Sequence, residues 1–383
     1  MSKYTFTGQA VFSNPTEPPD VWTLDALRQH CQTAMILETC TIPLYLYAMY
    51  SIDTSAGSDE QAAAKAIRGI VKQEMLHMAL AGNLLAALRG RPQLYGEVYA
   101  PKYPSELLYE GVLMTLAPAH PSQIQNFVEI EQPVDDKVGE DSEIAAVKLL
   151  AQYESIGQFY ESLKNLHDRP EIGDDIFDKE SEKRQWTGDD FFDGQLAAIT
   201  DLKTAEAKLD LIIQQGEGGP PPQGSPSVLT TPSHYEIFKD LSTKHLKVHK
   251  LIANPTTRQF EGKEKLYSAM LAFDAAYSYL LWTIELVWTY GGPDEDKKQS
   301  LKNNVSPLMS DMMSPIARFL VRQDLKTVKN KRAGPPFNLY IFSTRTSPKA
   351  ELKKIAEQAA EDYPNDLQGI PGVVEDLFDI GNI

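Results

Sequence analysis

The chain has 383 residues, with 37 lysines and arginines against 53 aspartates and glutamates, so its formal net charge is −16. An acidic chain is repelled by nucleic-acid phosphates and by anionic membranes, so neither is expected as a partner. Hydrophobic residues make up 42% of the chain, which is enough for a sizeable core, and the length corresponds to about two domains of ordinary size.

Targeting signals and cysteines both favour a cytoplasmic protein. The first residues do not resemble a secretory signal, and no run of about 18 apolar residues predicts a membrane-spanning helix. The two cysteines are Cys31 and Cys40. On one helix they would lie about 13 Å apart, which is too far for a disulfide. We therefore expect two free, buried thiols in a reducing compartment.

The periodicity of apolar residues predicts a mostly helical chain. An extended arm with three prolines (residues 1–21) precedes the first helix, and Pro43 predicts a kink or break inside that helix. Between the second and third helices lies a long connection with a short helix over residues 105–116. Residues 216–232 are too rich in glycine and proline for regular structure. The predicted long segments are residues 23–52, 58–88, 143–166, 194–215, 234–251, 262–291, 297–323 and 348–361.

This order of elements predicts an all-α fold. Strand signals are few, apart from short pieces such as residues 339–343. Four long helices with one long crossover between the second and third are typical of a four-helix bundle. We divide the chain into the N-terminal arm (1–21), a helical bundle with long loops (22–252) and a helical extension packed on the bundle (253–383).

Three ionisable residues interrupt the apolar faces of the first two helices. Glu38 lies in the apolar stripe of the first helix, and Glu74 and His77 lie in that of the second. An uncompensated carboxylate in a core costs several kcal/mol, so a partner is expected. Residues three apart on a helix lie about 5–6 Å apart on one face. Glu74 and His77 can therefore bind one metal ion, as in bundles where such E-x-x-H pairs meet glutamates from other helices.

A structural alternative stays open for these residues. Glu38 and Glu74 can instead be partly exposed, or pair with basic side chains. Arg68 and Lys72 are close enough in sequence to reach Glu74 but lie off its stripe.

The second half of a metal site is less clear in the sequence. Glu154 lies at the edge of the apolar face of the third helix, and the fourth helix contains no E-x-x-H pair. The nearest further candidates are Glu217, just after the fourth helix, and His234, after the proline-rich segment. If both are ligands, this segment folds back over the site. Otherwise Glu217 is a solvated loop residue, and His234 only begins a helix beside Ser233.

Several segments resemble a ferritin-like family that contains the iminophenylpyruvate dimer synthases of violacein-type pathways. The resemblance covers residues 22–337, including the stretch from 267 to 337, and E-M-L-H-M and Q-G-E-G…S-H-Y are its most specific parts. The segments are ILETCTIPLYLYAMYSI (36–52), IRGIVKQEMLHMALAGNLLAALRGRPQL (67–94), YESIGQFYESL (153–163), IIQQGEGGP (212–220) and SHYEIFKDL (233–241).

The resemblance implies a ferritin-like four-helix bundle with additional C-terminal helices and a non-haem metal centre. It also implies a role in secondary metabolism, in the oxidation or coupling of amino-acid-derived intermediates. One departure concerns the third helix, where Gln158 replaces the glutamate of the family's I-G-E-F-Y segment. Either Glu154 or Glu161 replaces that ligand, or the second metal position is weak or absent. The ligands implied by the motifs are Glu38, Glu74, His77, Glu217 and His234.

The first hypothesis is therefore a di-iron, or related di-metal, oxidoreductase that uses O₂ or peroxide on a small-molecule substrate. Carboxylates with imidazoles suit Fe(II) or Mn(II). In this hypothesis Glu38 bridges the metals, and the C-terminal helices form a substrate pocket or a homodimer surface. The alternatives are a metal-binding protein without redox activity and a helical interaction protein that has lost the site.

Overall fold

The computed structural model describes residues 18–19, 21–106, 112–133, 153, 155–164, 176–177, 179–188, 190–218, 232–292, 294–343 and 347–383. The helices in these ranges confirm the all-α fold. The first seven are α1 (Leu24–Ser51), α2 (Ser58–Ala87), α3 (Pro121–Glu131), α4 (Ile156–Lys164), α5 (Lys179–Arg184), α6 (Leu202–Gly216) and α7 (His234–Ser242). The others are α8 (Tyr267–Thr289), α9 (Glu295–Pro307), α10 (Ser314–Leu320), α11 (Pro348–Asp362) and α12 (Ile370–Asp376), with a π-helical segment, Leu308–Met313, between α9 and α10.

The long helices α1 and α2 pack against each other. The Thr23 side chain caps α1 by accepting a hydrogen bond from the backbone N–H of Ala26. The predicted kink or break at Pro43 is not a break, because α1 is helical from Leu24 to Ser51 with Pro43 inside it; the kink stays a prediction. The packing of its buried residues on α2 therefore outweighs the backbone hydrogen bond that proline removes.

The helices α4 and α6 pack against each other and complete the bundle. Helix α4 contacts α1, and helix α6 contacts α2. At one end of this bundle α3 packs on α7, which also contacts α2 and α6. His234 thus lies against the bundle, as expected if it is a ligand.

Capping residues set the starts of α6 and α7. Asp201 and Thr204 form a capping box at the start of α6, eight residues after the predicted start. Ser233 and Glu236 form another at the start of α7, which ends at Ser242 rather than near residue 251. After α7 the backbone forms single bridges, including one between Ile52 and Val248.

The helix predicted over residues 105–116 is wrong. Ser105–Glu106 and Leu113–Met114 are instead two short antiparallel strands. The helix of this connection is α3, which begins after His120 with Pro121 in its first turn. Proline fits that position because the first N–H groups of a helix have no intrahelical partner.

The C-terminal half is organised around α8, which contacts α9, α10 and α11. This helix is long and apolar enough to cross a membrane by composition, but 78% of its most apolar 18-residue stretch is buried inside the protein. It is therefore a core helix. Residues 339–343 form no strand. The division into arm, bundle and extension stays a prediction.

Both cysteines are free and buried, as predicted. Burial raises the pKa of the Cys40 thiol to about 12, and it raises the pKa of the Cys31 thiol further. Neither thiol is a reactive thiolate at neutral pH.

Candidate metal centre

The structure brings Glu38, Glu74 and His77 together between α1 and α2. Their exposed fractions are 3%, 2% and 2%. Glu38 Oε2 lies 3.6 Å from His77 Nδ1. One ligand atom from each of the three residues lies within 4.8 Å of the others. The stripe positions that the sequence indicated are therefore one buried cluster that can hold a metal ion.

A second cluster adjoins the first and shares Glu74 with it. Its other members are Glu131 at the end of α3 and His234 at the start of α7, with ligand atoms again within 4.8 Å. His234 Nδ1 lies 2.7 Å from Glu74 Oε1 and 3.7 Å from Glu131 Oε2. The side chain between the two clusters is thus Glu74, whereas the sequence analysis gave Glu38 the bridging position.

Glu74 is the carboxylate whose ionisation the neighbouring acidic residues disfavour. Burial and the charges of Glu38 and Glu131 raise the pKa of Glu74 well above its usual range. Burial also opposes ionisation of Glu38, but its hydrogen bond and charge interaction with His77 lower the pKa of Glu38. Likewise, burial disfavours the imidazolium of His77, yet Glu38 raises its pKa. A cation between these side chains would relieve the repulsion that disfavours ionisation of Glu74.

Two glutamines fix the orientation of the histidine rings. Nε2 of His77 lies 2.8 Å from Gln215 Oε1, and Nε2 of His234 lies 3.0 Å from Gln73 Oε1. An amide oxygen can only accept, so each Nε2 carries a proton and each Nδ1 is the ring nitrogen that faces the carboxylates. Among the described residues, His234 Nδ1 is buried without a hydrogen-bond partner of suitable geometry. A bare imidazole nitrogen facing carboxylate oxygens is what a metal ion needs.

Hydroxyl groups hold each of the three carboxylates. Tyr160 donates a 2.5 Å hydrogen bond to Glu38 Oε1, and Tyr45 donates a short one to Glu131 Oε1. Thr41 donates to Glu74 Oε2 at 2.8 Å. Each cluster therefore consists of one histidine fixed by a glutamine, one glutamate fixed by a tyrosine, and the shared Glu74.

The cavity between these side chains is small. Only about 10 Å³ is open to the centres of water-sized molecules, which is about the room that one water molecule needs. Ile156, Ile212 and Ile213 form its apolar wall. The enclosed space suits metal ions or a very small molecule and has no room for an organic substrate.

Glu217 lines the same cavity but is not one of the two clusters. Its Oε1 accepts a 2.7 Å hydrogen bond from the backbone N–H of Gly157. A Cβ atom at Gly157 would lie 2.1 Å from Glu217 Oε2, so glycine is needed for this close approach. The carboxylate of Glu217 thus joins α4 to the end of α6, and its role as a ligand stays a prediction.

The other expectations for this region have different outcomes. Glu154 lies outside the described residues. Gln158 is part of neither cluster, so the second cluster forms without an acidic residue at that position. Lys72 forms an ion pair with Asp193 at 2.7 Å. In the part of the chain that the structure describes, no lysine or arginine forms an ion pair with Glu38, Glu74 or Glu131.

Glu131 was not among the ligands expected from the sequence. The signal was present, because Ile124, Phe127 and Val128 are buried on α3 and Glu131 continues their spacing. Glu131 was missed because the helix of this connection was expected over residues 105–116, before the residues that form α3.

A family model described as Ferritin-like matches residues 31–243, which is more than half of the chain. The chain belongs to the ferritin-like family. A crystal structure of a ferritin-like protein from Caulobacter vibrioides superposes with a TM-score of 0.53 at 21% identity, covering 77% of this chain and 97% of that one. This similarity supports the ferritin-like fold alone. No curated protein matches the chain significantly.

The buried residues fit the metal centre that a ferritin-like fold implies. Three carboxylates and two imidazoles form two groups of three around a shared glutamate. Both Nδ1 atoms face inward, and His234 Nδ1 has no hydrogen-bond partner within the described ranges. Oxygen and imidazole ligands suit Fe(II), Mn(II) and similar divalent ions.

Proposed function

We propose that this protein is a non-haem di-metal oxidoreductase, most simply di-iron, that uses O₂ or peroxide. The observation that carries the proposal is the arrangement of the two clusters around Glu74. Glu38, Glu74 and His77 would hold one ion, and Glu74, Glu131 and His234 would hold the other. When bound, iron would supply the electrons that reduce the oxidant. Manganese would fit the same ligands.

The surrounding residues prepare the site for this chemistry. Gln73 and Gln215 hold the histidines with Nδ1 directed inward, which avoids reorientation when a metal binds. Tyr45 and Tyr160 donate to the outer carboxylates and limit the directions from which these can coordinate. The isoleucines of α4 and α6 exclude bulk water, which strengthens electrostatic interactions inside the cavity.

The substrate class is proposed from the resemblance described above. An amino-acid-derived intermediate of secondary metabolism would be oxidised or coupled by the activated oxidant. The metal cavity accommodates only very small molecules, which supports O₂ or peroxide as its occupant. The organic substrate would bind outside this cavity.

Metal loading under anaerobic conditions tests the proposal. We expect two Fe(II) ions per chain by elemental analysis and, on exposure to air, O₂ consumption with a near-ultraviolet band of oxidised iron. H77A and E74A should each lose at least one ion. The matched control is E264Q, since Glu264 is also buried and accepts a hydrogen bond from the Thr327 N–H away from the clusters.

The outcomes separate the alternatives. Fewer than one ion per chain, with no further loss in E74A, would overturn both the metal site and the function. Two bound ions without O₂ or peroxide consumption would overturn the oxidoreductase and leave a metal-binding protein without redox activity.

A further inference from the structure

A second cavity lies directly behind the two glutamines that orient the histidines. Its volume is about 570 Å³, a typical size for a small-molecule site. Gln73 and Gln215 line it, so the hydrogen bonds to His77 and His234 separate it from the metal cavity. The outer wall is formed by α2 and α7 and by the turn that carries Phe192.

The inner wall of this cavity presents hydrogen-bond donors. The Oε1 atoms of Gln73 and Gln215 face the histidines, and neither Nε2 forms a hydrogen bond within the described part of the chain. Gln215 is only 4% exposed. Neither Nε2 is a buried atom without a partner, so both reach the solvent of the cavity. A ligand that supplies an acceptor oxygen can replace water at these two donors.

The charges and the apolar surface of the cavity define the ligand further. Lys72 is neutralised by Asp193, but Lys65 also lines the cavity and forms no ion pair within the described ranges. Ile70, Leu76 and Ile237 supply an apolar wall. Two amide donors, one cation and an apolar wall suit a carboxylate on an apolar body.

Gly69 gives independent support because it keeps the cavity open. This glycine lies in the middle of α2, where glycine is less favourable than alanine by about 1 kcal/mol. Neither a close neighbour nor a positive φ explains it, since a Cβ atom there would meet nothing within 4 Å. Its missing side chain leaves space in the cavity, which Gly69 lines.

We propose that this cavity is a binding site for a small organic carboxylate with an apolar body, separate from the metal cavity. A carboxylate oxygen would accept hydrogen bonds from the Nε2 groups of Gln73 and Gln215. Any shift of these glutamines is transmitted to the histidine rings through the Oε1 contacts. Binding itself does not depend on a metal, and only its effect on the metal centre rests on the proposed function.

The test uses the metal-free full-length protein and three probes of equal shape: 3-phenylpropionate, 3-phenylpropan-1-ol and 3-phenylpropylammonium. Titration calorimetry and saturation-transfer NMR should detect saturable binding that is tightest for the carboxylate. G69L should weaken this binding about ten-fold or more by filling the cavity. K65M should weaken it about three-fold, as expected for an exposed charge. G372L is the matched control, because Gly372 is an exposed helical glycine with equally open surroundings, and it should leave binding unchanged.

A second readout follows the histidines. In protein labelled with ¹⁵N-histidine, 3-phenylpropionate should shift the side-chain signals of His77 and His234, which H77A and H234A assign. If G69L does not fold by circular dichroism, A66L fills the same cavity. No saturable binding, equal binding in the filled variant, or preference for the ammonium probe would overturn the site. Because no metal is present, these outcomes leave the metal proposal unaffected.

Discussion

At the scale of single residues, Glu131 and Glu217 are the two carboxylates that could complete the second metal position. They differ in whether a backbone N–H already occupies the carboxylate. The carboxylate of Glu131 accepts a hydrogen bond from the Tyr45 hydroxyl and lies near His234 Nδ1. The carboxylate of Glu217 accepts a hydrogen bond from the backbone N–H of Gly157. Both lie at helix ends beside the cavity. The structure therefore favours Glu131 as a ligand and gives Glu217 a role in joining α4 to α6.

This difference predicts unequal metal loss in two matched variants. E131Q should bind about one Fe(II) ion per chain instead of two, because the second cluster loses a charged ligand. E217Q should keep both ions, since an amide oxygen can still accept from Gly157. Elemental analysis after anaerobic loading measures both. Loss of an ion in E217Q with two ions in E131Q would restore Glu217 as the ligand.

The sequence predicted four candidate ligands that all lie in the two clusters, namely Glu38, Glu74, His77 and His234. The first three were indicated by apolar stripes, and His234 by its place after the proline-rich segment and by the S-H-Y motif of the resemblance. The orienting glutamines were not found, since uncharged polar residues beside a stripe are common and only the fold brings Gln215 to His77.

At the scale of elements, helix periodicity predicted α1 and α2 well because each is long and carries apolar residues at helical spacing, although residues 30–41 and 76–87 are buried on every side. The connection between α2 and α4 was predicted poorly. Its hairpin sequence carries apolar residues at helix-like spacing, and the paired strands over 105–106 and 113–114 depend on packing that no local pattern encodes. The short α3, on which Glu131 lies, shows helical spacing of its apolar residues, but it was missed because the helix of this connection was expected over residues 105–116.

Two glycines of α2 should respond oppositely to the same substitution. At Gly82 a Cβ atom would lie 2.5 Å from the Trp288 ring of α8, so G82A should destabilise the protein by about 1–3 kcal/mol through overpacking. At Gly69 a Cβ atom meets nothing within 4 Å, so G69A should stabilise by up to about 1 kcal/mol through helix propensity.

Scanning calorimetry of the two variants and the wild type measures this difference. Tryptophan fluorescence should change in G82A, because the buried Trp288 must move, and stay constant in G69A. Equal thermal midpoints for the two variants would show that α2 and α8 do not approach as closely as described.

At the scale of the whole molecule, buried tyrosines connect the metal centre to the core of the C-terminal half. Burial raises the pKa of each hydroxyl above its ordinary value, and for Tyr45 and Tyr160 the nearby glutamates add to the effect. The others lie on α1, on α8 and before the first strand. The set is Tyr45, Tyr47, Tyr103, Tyr160, Tyr277 and Tyr279.

These shifts predict a steep loss of stability in alkali. The folded state keeps the buried hydroxyl protons that the unfolded chain releases near pH 10, so it binds more protons above that pH. Stability is therefore complete below about pH 10 and falls by about 1.4 kcal/mol per tyrosine for each further pH unit. Tyrosinate absorbance should show exposed tyrosines titrating first and the buried set appearing together with unfolding.

Tyr277 tests the contribution of one such group. Its hydroxyl is buried without a hydrogen-bond partner among the described residues, so Y277F should be neutral or stabilising by about 1 kcal/mol at neutral pH. Above about pH 10, the free energy of unfolding of this variant should fall less steeply than that of the wild type, by about 1.4 kcal/mol for each pH unit. Y47F is the matched comparison, since Tyr47 donates to the Ile252 carbonyl and its loss should destabilise at neutral pH. Early titration of all tyrosines without unfolding would contradict the burial of Tyr45, Tyr160 and the other tyrosines of this set.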